Sequence, residues 1–325
     1  MEINRKNARV WSRLGPRATY GITMLELVER NDKVYALSAD LGSSSGLQRL
    51  MDLYPDRYLN TGIAEQNLIG VCAGLAREGL VPFASSFAPF ITHRCADQVR
   101  MNMGYMHLNI KTVGLGSGVS MSVLGNSHYG LDDLSFMRSI PDMTILCPCD
   151  CAELVKCIEA AAEYEGPVYI RMTGEPGMPR VYEEEFDFTI GKANILKRGE
   201  DICVIAAGST VICAVEAAEK LREQGINASV IDMHTVKPLD TEVLNRLAAY
   251  NYLITVEEHS VIGGLGSAVA EYMAPKKRKP RQLFIGIEDC FPHAGDYKHM
   301  LRQCGLTAEQ IVEKVLKFTE GRSTL

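Results

Sequence analysis

The run Asn60-Thr61-Gly62-Ile63-Ala64-Glu65-Gln66-Asn67 carries the most chemical content in this 325-residue sequence. On a helix starting near Ile63, Glu65 shares a face with Leu68, Ile69, Cys72 and Ala76. The spacing therefore sets a carboxyl group into the buried stripe of an amphipathic helix. A buried, unpaired carboxylate is costly, and such a group tends to stay protonated. Two readings stay open on the pattern alone: an acid that works in its neutral form, or a carboxylate that caps the helix or meets a buried arginine. Gly70 and Gly74, four apart, leave room for another element to approach closely.

Phe87 and Phe90 are three apart, which places both on one helical face or turn. Aromatic faces suit a planar heterocycle, although two core phenylalanines would show the same spacing. Other candidates carry less. Cys147-Pro148-Cys149-Asp150-Cys151 has a spacing of one and no neighbouring histidine, so no metal site is expected. Gly264-Leu265-Gly266 opens a helix after a strand, like a dinucleotide loop, but no acidic residue follows at the required distance. His234 and His259, near strand ends, read as structural. The basic run 276–281 reads as a solvated loop.

The elements that must position these residues follow from the alternation of short apolar runs with helical patterns, the signature of parallel βα units. Strands are expected at 34–38, 81–85, 110–114, 143–147 and 168–172, with helices at 17–29, 63–77, 90–103, 133–139 and 151–164. Turn formers at 174–179 and an acidic stretch at 183–185 mark a linker. The alternation restarts at 202–207 and ends on a helix at 307–318. The expected fold class is α/β: two three-layer α/β domains, 1–185 and 186–325. The chain is 46% apolar and 23% charged, which excludes a disordered or coiled-coil protein. A net charge of −6 gives no general attraction to nucleic acid. No run reaches membrane-spanning length and no export signal is visible. Ten cysteines scattered through apolar segments fit reduced thiols, and a cytoplasmic location is expected.

Gly62-Ile63-Ala64-Glu65-Gln66-Asn67 also resembles the signature around the catalytic glutamate of transketolases, members of the thiamine diphosphate enzyme superfamily. The resemblance continues in chain order. Ser38-Ala39-Asp40-Leu41 is similar to the family's first strand end. Phe87-Ala88-Pro89-Phe90 with Asp97-Gln98-Val99-Arg100 is similar to its aromatic segment. Ser127-His128-Tyr129-Gly130 with Asp132-Asp133 resembles a divergent form of its Thr-His-Gln turn. Asp232 to Asp240, Val256 to His259 and Gly263 to Gly266 resemble the C-terminal domain of split transketolases. The Gly-Asp-Gly motif that holds the diphosphate and Mg²⁺ in this superfamily does not occur in the sequence.

The resemblance implies a pyrimidine-binding domain followed by a transketolase C-terminal domain. It implies thiamine diphosphate as cofactor, with Mg²⁺ held mainly by a separate N-terminal subunit that carries Gly-Asp-Gly, in an α₂β₂ heterotetramer. Glu65 would hydrogen-bond the aminopyrimidine. Phe90 would stack on it with Phe87 beside it, and Asp40 and Ile63 would border the cofactor. His128 would act on the donor sugar. Arg17, Ser44 and Arg171 occupy positions that hold a sugar phosphate in the family. Where the family has a phosphate-binding histidine this chain runs Gly116-Ser117-Gly118, and where it has an aspartate that reads the acceptor's 2-hydroxyl stands Leu124. The implied activity is transfer of a two-carbon ketol unit from a ketose, phosphorylated or otherwise anionic, to an aldehyde. A 2-oxo acid dehydrogenase β-like subunit, a deoxyxylulose phosphate synthase-like subunit and a non-catalytic regulatory subunit of the same fold are the alternatives.

Overall fold

A computed structural model describes residues 1–320, so the last positions of the expected second domain, 321–325, lie outside the described residues. Two sheets organise the chain. The first contains β1 (Val34–Ser38), β2 (Tyr58–Asn60), β3 (Val81–Phe87), β4 (Lys111–Leu115), β5 (Thr144–Leu146) and β6 (Val168–Arg171). The second contains β7 (Asn194–Lys197), β8 (Ile202–Ala207), β9 (Ala228–Asp232), β11 (Tyr252–Ser260) and β12 (Arg281–Ile287), while β10 (Thr235–Lys237) belongs elsewhere. Every residue of β4, β8 and β9 is buried. That is the pattern of parallel strands covered on both faces.

The first sheet runs β10-β5-β6-β4-β3-β1-β2 and the second β12-β11-β8-β9-β7. The order reveals what the alternation could not. β10, from the second half of the chain, pairs antiparallel with β5 and closes one edge of the first sheet. Cys147 donates its N–H to the His234 carbonyl at 2.7 Å, and Lys237 Nζ donates to the carbonyls of Arg138 and Ile140. A covered edge removes a row of unpaired backbone groups. The two α/β units are thus tied by backbone pairing, and the apolar core runs through both: Leu68, Cys72 and Met137 pack in one cluster with Ile231, Met233 and Leu253.

Polar groups complete the seam. The Arg171 Nε lies 2.8 Å from Asp133 Oδ2, and its Nη2 donates to the carbonyls of Gly130 and Glu258, each at 2.9 Å. Burial pushes the Asp133 carboxyl up, but Arg171 and His259 more than reverse this and hold it below the usual range. Glu258 accepts from Val119 N–H at 2.8 Å, from Tyr297 Oη at 2.6 Å and from Ser209. Nearby, Glu153 and Asp232 face each other across the domains with Cys149, their ligand-type atoms within 4.8 Å. Glu153 Oε1 and Asp232 Oδ1 are buried without a hydrogen-bond partner. Burial pushes both carboxyls up, Asp232 to about 7.

Candidate functional site

The helix Glu65–Arg77 starts at the residue that the sequence pattern singles out. Glu65 is 2% exposed, and Leu68, Ile69 and Cys72 line the same buried face. Two donors hold its carboxylate: Ser86 Oγ reaches Oε1 at 3.2 Å and Arg94 Nη1 reaches Oε2 at 2.8 Å. Glu65 does meet an arginine, but an exposed one rather than the buried partner the pattern allowed for. The helix N-terminus adds favourable backbone dipoles.

Aromatic rings lie next to this carboxylate. β3 ends at Phe87, and the chain turns at once into a wide π-helical turn, Phe90–Arg94. Such turns recur at functional sites. Phe87 and Phe90 meet edge to face at 5.8 Å, and His128 sits 5.4 Å from one ring and 5.3 Å from the other. Phe87, Phe90 and His128 thus form one cluster, and Arg94 links Phe90 to Glu65. Sequence reasoning passed over Arg94, whose guanidinium lies 3.8 Å from the Phe90 ring centre. The signal was present: Arg94 follows Phe90 by four, the spacing of neighbours on a helix face.

Asp40 and Ile63 flank the turn that leads into the helix Glu65–Arg77. Asn60 Nδ2 donates to Asp40 Oδ1 at 3.2 Å, and Asn60 Oδ1 accepts from the N–H groups of Asp40 and Gly62 at 2.9 and 3.0 Å. This links the end of β1 to the turn that launches Glu65. Asp40 holds a left-handed backbone, φ 58°, and Ile63 is 78% exposed. Within 4 Å of where a Cβ would stand, Gly62, Gly70 and Gly74 meet nothing. The room left by Gly70 and Gly74 is therefore not filled by any described part of this chain.

Arg17 reaches the far side of the cluster, with Cζ 5.6 Å from the Phe87 ring centre and Nη2 donating to Met121 Sδ at 3.0 Å. It has no acidic partner among the described residues, and burial lowers its pKa. Gly116 gives it space: a Cβ there would collide with Met121 and lie 3.7 Å from Arg17 Nη2. The loop bearing exposed Ser44 packs its Gly46 directly on the Arg17 carbonyl. Leu124 is half exposed on the loop before His128.

Arg171 requires a correction. It does not converge with Arg17 and Ser44 on an open anion site. It is 3% exposed, and Asp133 and two carbonyls take its donors. A buried guanidinium whose Nε and Nη2 are committed in this way ties the domains. The glycine loop behaves as expected of a non-nucleotide site: Leu265 and Gly266 give their N–H groups to Glu257 at 2.7 and 2.8 Å, so an internal carboxylate occupies that helix start. Burial pushes His234 and His259 down to about 4, as befits neutral structural histidines.

The transketolase pyrimidine binding domain matches residues 14–175, and the transketolase C-terminal domain matches residues 191–311. A 6-deoxy-6-sulfo-D-fructose transketolase subunit, SqwH, of Clostridium sp. (strain MSTE9) is 40% identical, over 94% of this chain and 95% of that protein. One of the subunits of an apulose-4-phosphate transketolase of Phocaeicola vulgatus is 37% identical, over 94% and 97%. The solved structure of a split gene transketolase, an inactive β4 tetramer, superposes with a TM-score of 0.84 at 39% identity, covering 93% of this chain and 97% of that one. No helix among the described residues is long and apolar enough to cross a membrane. With both domains matched and near-full-length likeness to separate subunits, the chain belongs to the transketolase family, as the subunit of a split transketolase that carries the pyrimidine-binding and C-terminal domains.

Proposed function

We propose that this chain provides the pyrimidine-side half of a thiamine diphosphate-dependent transketolase. It would be active only with an N-terminal subunit that carries Gly-Asp-Gly and holds Mg²⁺, in an α₂β₂ assembly. The observation that carries this reading is a buried carboxylate at a helix start, bridged by Arg94 to a cluster of two aromatic rings and a histidine, with open space beside Gly62, Gly70 and Gly74. These residues fit an aminopyrimidine: a planar, N–H-bearing group already stands on Phe90 and donates to Glu65.

Thiamine diphosphate, when bound, supplies the carbanion that attacks a ketose carbonyl and keeps a two-carbon unit until an aldehyde takes it. The chain's own residues position and protonate. Glu65 shares a proton with the pyrimidine N1′, a task for a fixed and desolvated acid. Phe90 and Phe87 offer faces that orient the ring, while Asp40 and Ile63 form the rim. His128 hydrogen-bonds the donor sugar. Arg17, with Ser44 on the adjoining loop, holds a terminal anion on the substrate.

The anion is favoured by a half-buried guanidinium that no acid neutralises. Two relatives act on ketoses bearing a sulfonate or a phosphate, as their names state. The loss of the phosphate-binding histidine at 116–118 and the presence of Leu124 support a substrate pair other than ordinary pentose phosphates. Assaying this chain alone, and co-purified with its N-terminal partner, against phosphorylated, sulfonated and neutral ketoses tests the reading. Transfer by the pair alone, fastest with anionic donors, is expected. Transfer by this chain alone would overturn the two-subunit claim, and an inert pair that binds the cofactor would point to a regulatory subunit.

A further inference from the structure

Arg94 makes two contacts that one other kind of group would also make. Its planar cation lies flat enough on Phe90 to bring Cζ within 3.8 Å of the ring centre, and it donates an N–H to Glu65 Oε2 at 2.8 Å. An aminopyrimidine ring taken up by this site with its N1′ protonated would likewise stack on Phe90 and donate an N–H to Glu65. Two planar groups cannot hold one aromatic face and one oxygen at once.

The other oxygen offers no alternative. Oε1 is held by Ser86, which is fully buried in β3 and has nowhere to turn. The Arg94 side chain is 43% exposed while that of Glu65 is 3% exposed. The donor on Oε2 can therefore leave for water, and the one on Oε1 cannot. Without Arg94, Glu65 would stand as a buried charge with one oxygen unsatisfied whenever the slot lacked its ligand.

We propose that Arg94 is a built-in occupant of the pyrimidine slot, a guanidinium that keeps Glu65 paired and Phe90 covered until the cofactor ring displaces it into solvent. The proposal rests on the reading of Glu65 and Phe90 as the pyrimidine site. It makes Arg94 a competitor of the cofactor, so its removal should tighten binding, whereas a residue that merely orients Glu65 would weaken binding when lost.

The test uses two probes besides turnover. In the chain alone, Arg94→Ala should bind 4-amino-5-hydroxymethyl-2-methylpyrimidine and methylguanidinium at least about tenfold more tightly than wild type, a difference of one charged contact. Ring resonances of Phe90 and His128 in NMR titrations report it, and Glu65→Gln in the Arg94→Ala background should abolish it. In the assembled pair, calorimetry should show a lower dissociation constant for thiamine diphosphate with Arg94→Ala. Should that variant fail to fold, Arg94→Gln keeps a neutral donor for Glu65 and should shift both constants in the same direction by less. Equal affinities in wild type and variant, or weaker cofactor binding in the variant, would overturn the proposal. The two possible failures are separable. If the pyrimidine reading is wrong, Glu65→Gln binds thiamine diphosphate as wild type does. If only the role of Arg94 is wrong, Glu65→Gln weakens binding and Arg94→Ala does not strengthen it.

Discussion

The molecule contains two arginine–carboxylate pairs of equal length, 2.8 Å each, in opposite circumstances. Arg171 and Asp133 are 3% and 0% exposed and lie in the seam between the domains. The guanidinium also binds two backbone carbonyls, and Tyr169 Oη donates to Asp133 at 2.6 Å. Arg94 and Glu65 lie within the first domain, with the arginine half in water and stacked on a ring. A pair saturated on all sides holds a structure together. A pair with one solvated member can open. Bond length does not distinguish them; the number of independent anchors on the arginine does.

The largest effect expected on this contrast is at Glu65. In the assembled pair, Glu65→Gln keeps size and a hydrogen bond but cannot share a proton with the pyrimidine, and kcat should fall by about 10²–10⁴-fold. Circular dichroism and subunit assembly should be unchanged, because Gln fills the same volume, its Oε1 can accept from Arg94 and its Nε2 can donate to Ser86 Oγ. Undiminished turnover would break the assignment of this pair to chemistry.

The seam pair should answer in stability. Asp133→Ala leaves a buried guanidinium without its counter-ion, which costs about 3–5 kcal/mol. A urea titration should show the midpoint fall accordingly. Arg171→Ala should likewise lower stability and reduce activity on anionic and neutral ketoses alike. A selective rise in KM for the anionic sugar would instead restore Arg171 to the substrate site.

Arg17 should show the selectivity that Arg171 lacks. Loss of one charged hydrogen bond is worth about 1.5–3 kcal/mol. Arg17→Ala should therefore raise KM for an anionic ketose by about tenfold or more and leave that for a neutral ketose nearly unchanged. Parallel changes on both substrates would show that Arg17 supports Phe87 and Met121 rather than an anion.

The smallest effect concerns the buried carboxyls of the seam. Burial raises Asp232 to about 7 and Glu153 well above its ordinary value, so the folded state retains a proton that the unfolded chain gives up. That contribution is full below the unfolded carboxyl pKa and is lost as pH rises through about 7. His234 and His259, pushed down to about 4, act oppositely: their contribution is present above the ordinary histidine pKa and is lost as pH falls through about 4. Tm should thus decline between about pH 6 and 8 in wild type, and less steeply in Asp232→Asn, which can still accept from Tyr182 Oη but does not titrate. Identical slopes in differential scanning calorimetry would show that Asp232 does not hold a proton in the folded state.

Much of the candidate site is legible in sequence because it is local. Glu65 announces itself through the apolar residues that follow at helical spacing, and Phe87 and Phe90 through their separation of three. Arg17 and Ser44 are recognisable by their distances from Asp40. Arg171 is misleading for the opposite reason. Its place at the end of a strand is correct, but where its side chain points depends on a carbonyl 87 residues later, at Glu258. Arg94 stands four after Phe90, an ordinary helical spacing, but its meeting with Glu65, 29 residues earlier, is decided by packing. β10 is too short for periodicity to reveal, and its partner strand ends nearly ninety residues earlier.

The order of residues alone dictates the alternation of strands and helices, the two α/β units and the family resemblance. These are properties of short segments, where side-chain period and backbone preference act over a few residues. Tertiary packing settles which carboxylates are paired, which arginine is locked and which can move, and that the second domain lends a strand to the first. Those outcomes depend on long-range contacts. Burial and the number of partners around each charge are set by chain segments far apart in sequence, and they fix both its protonation and its freedom to leave.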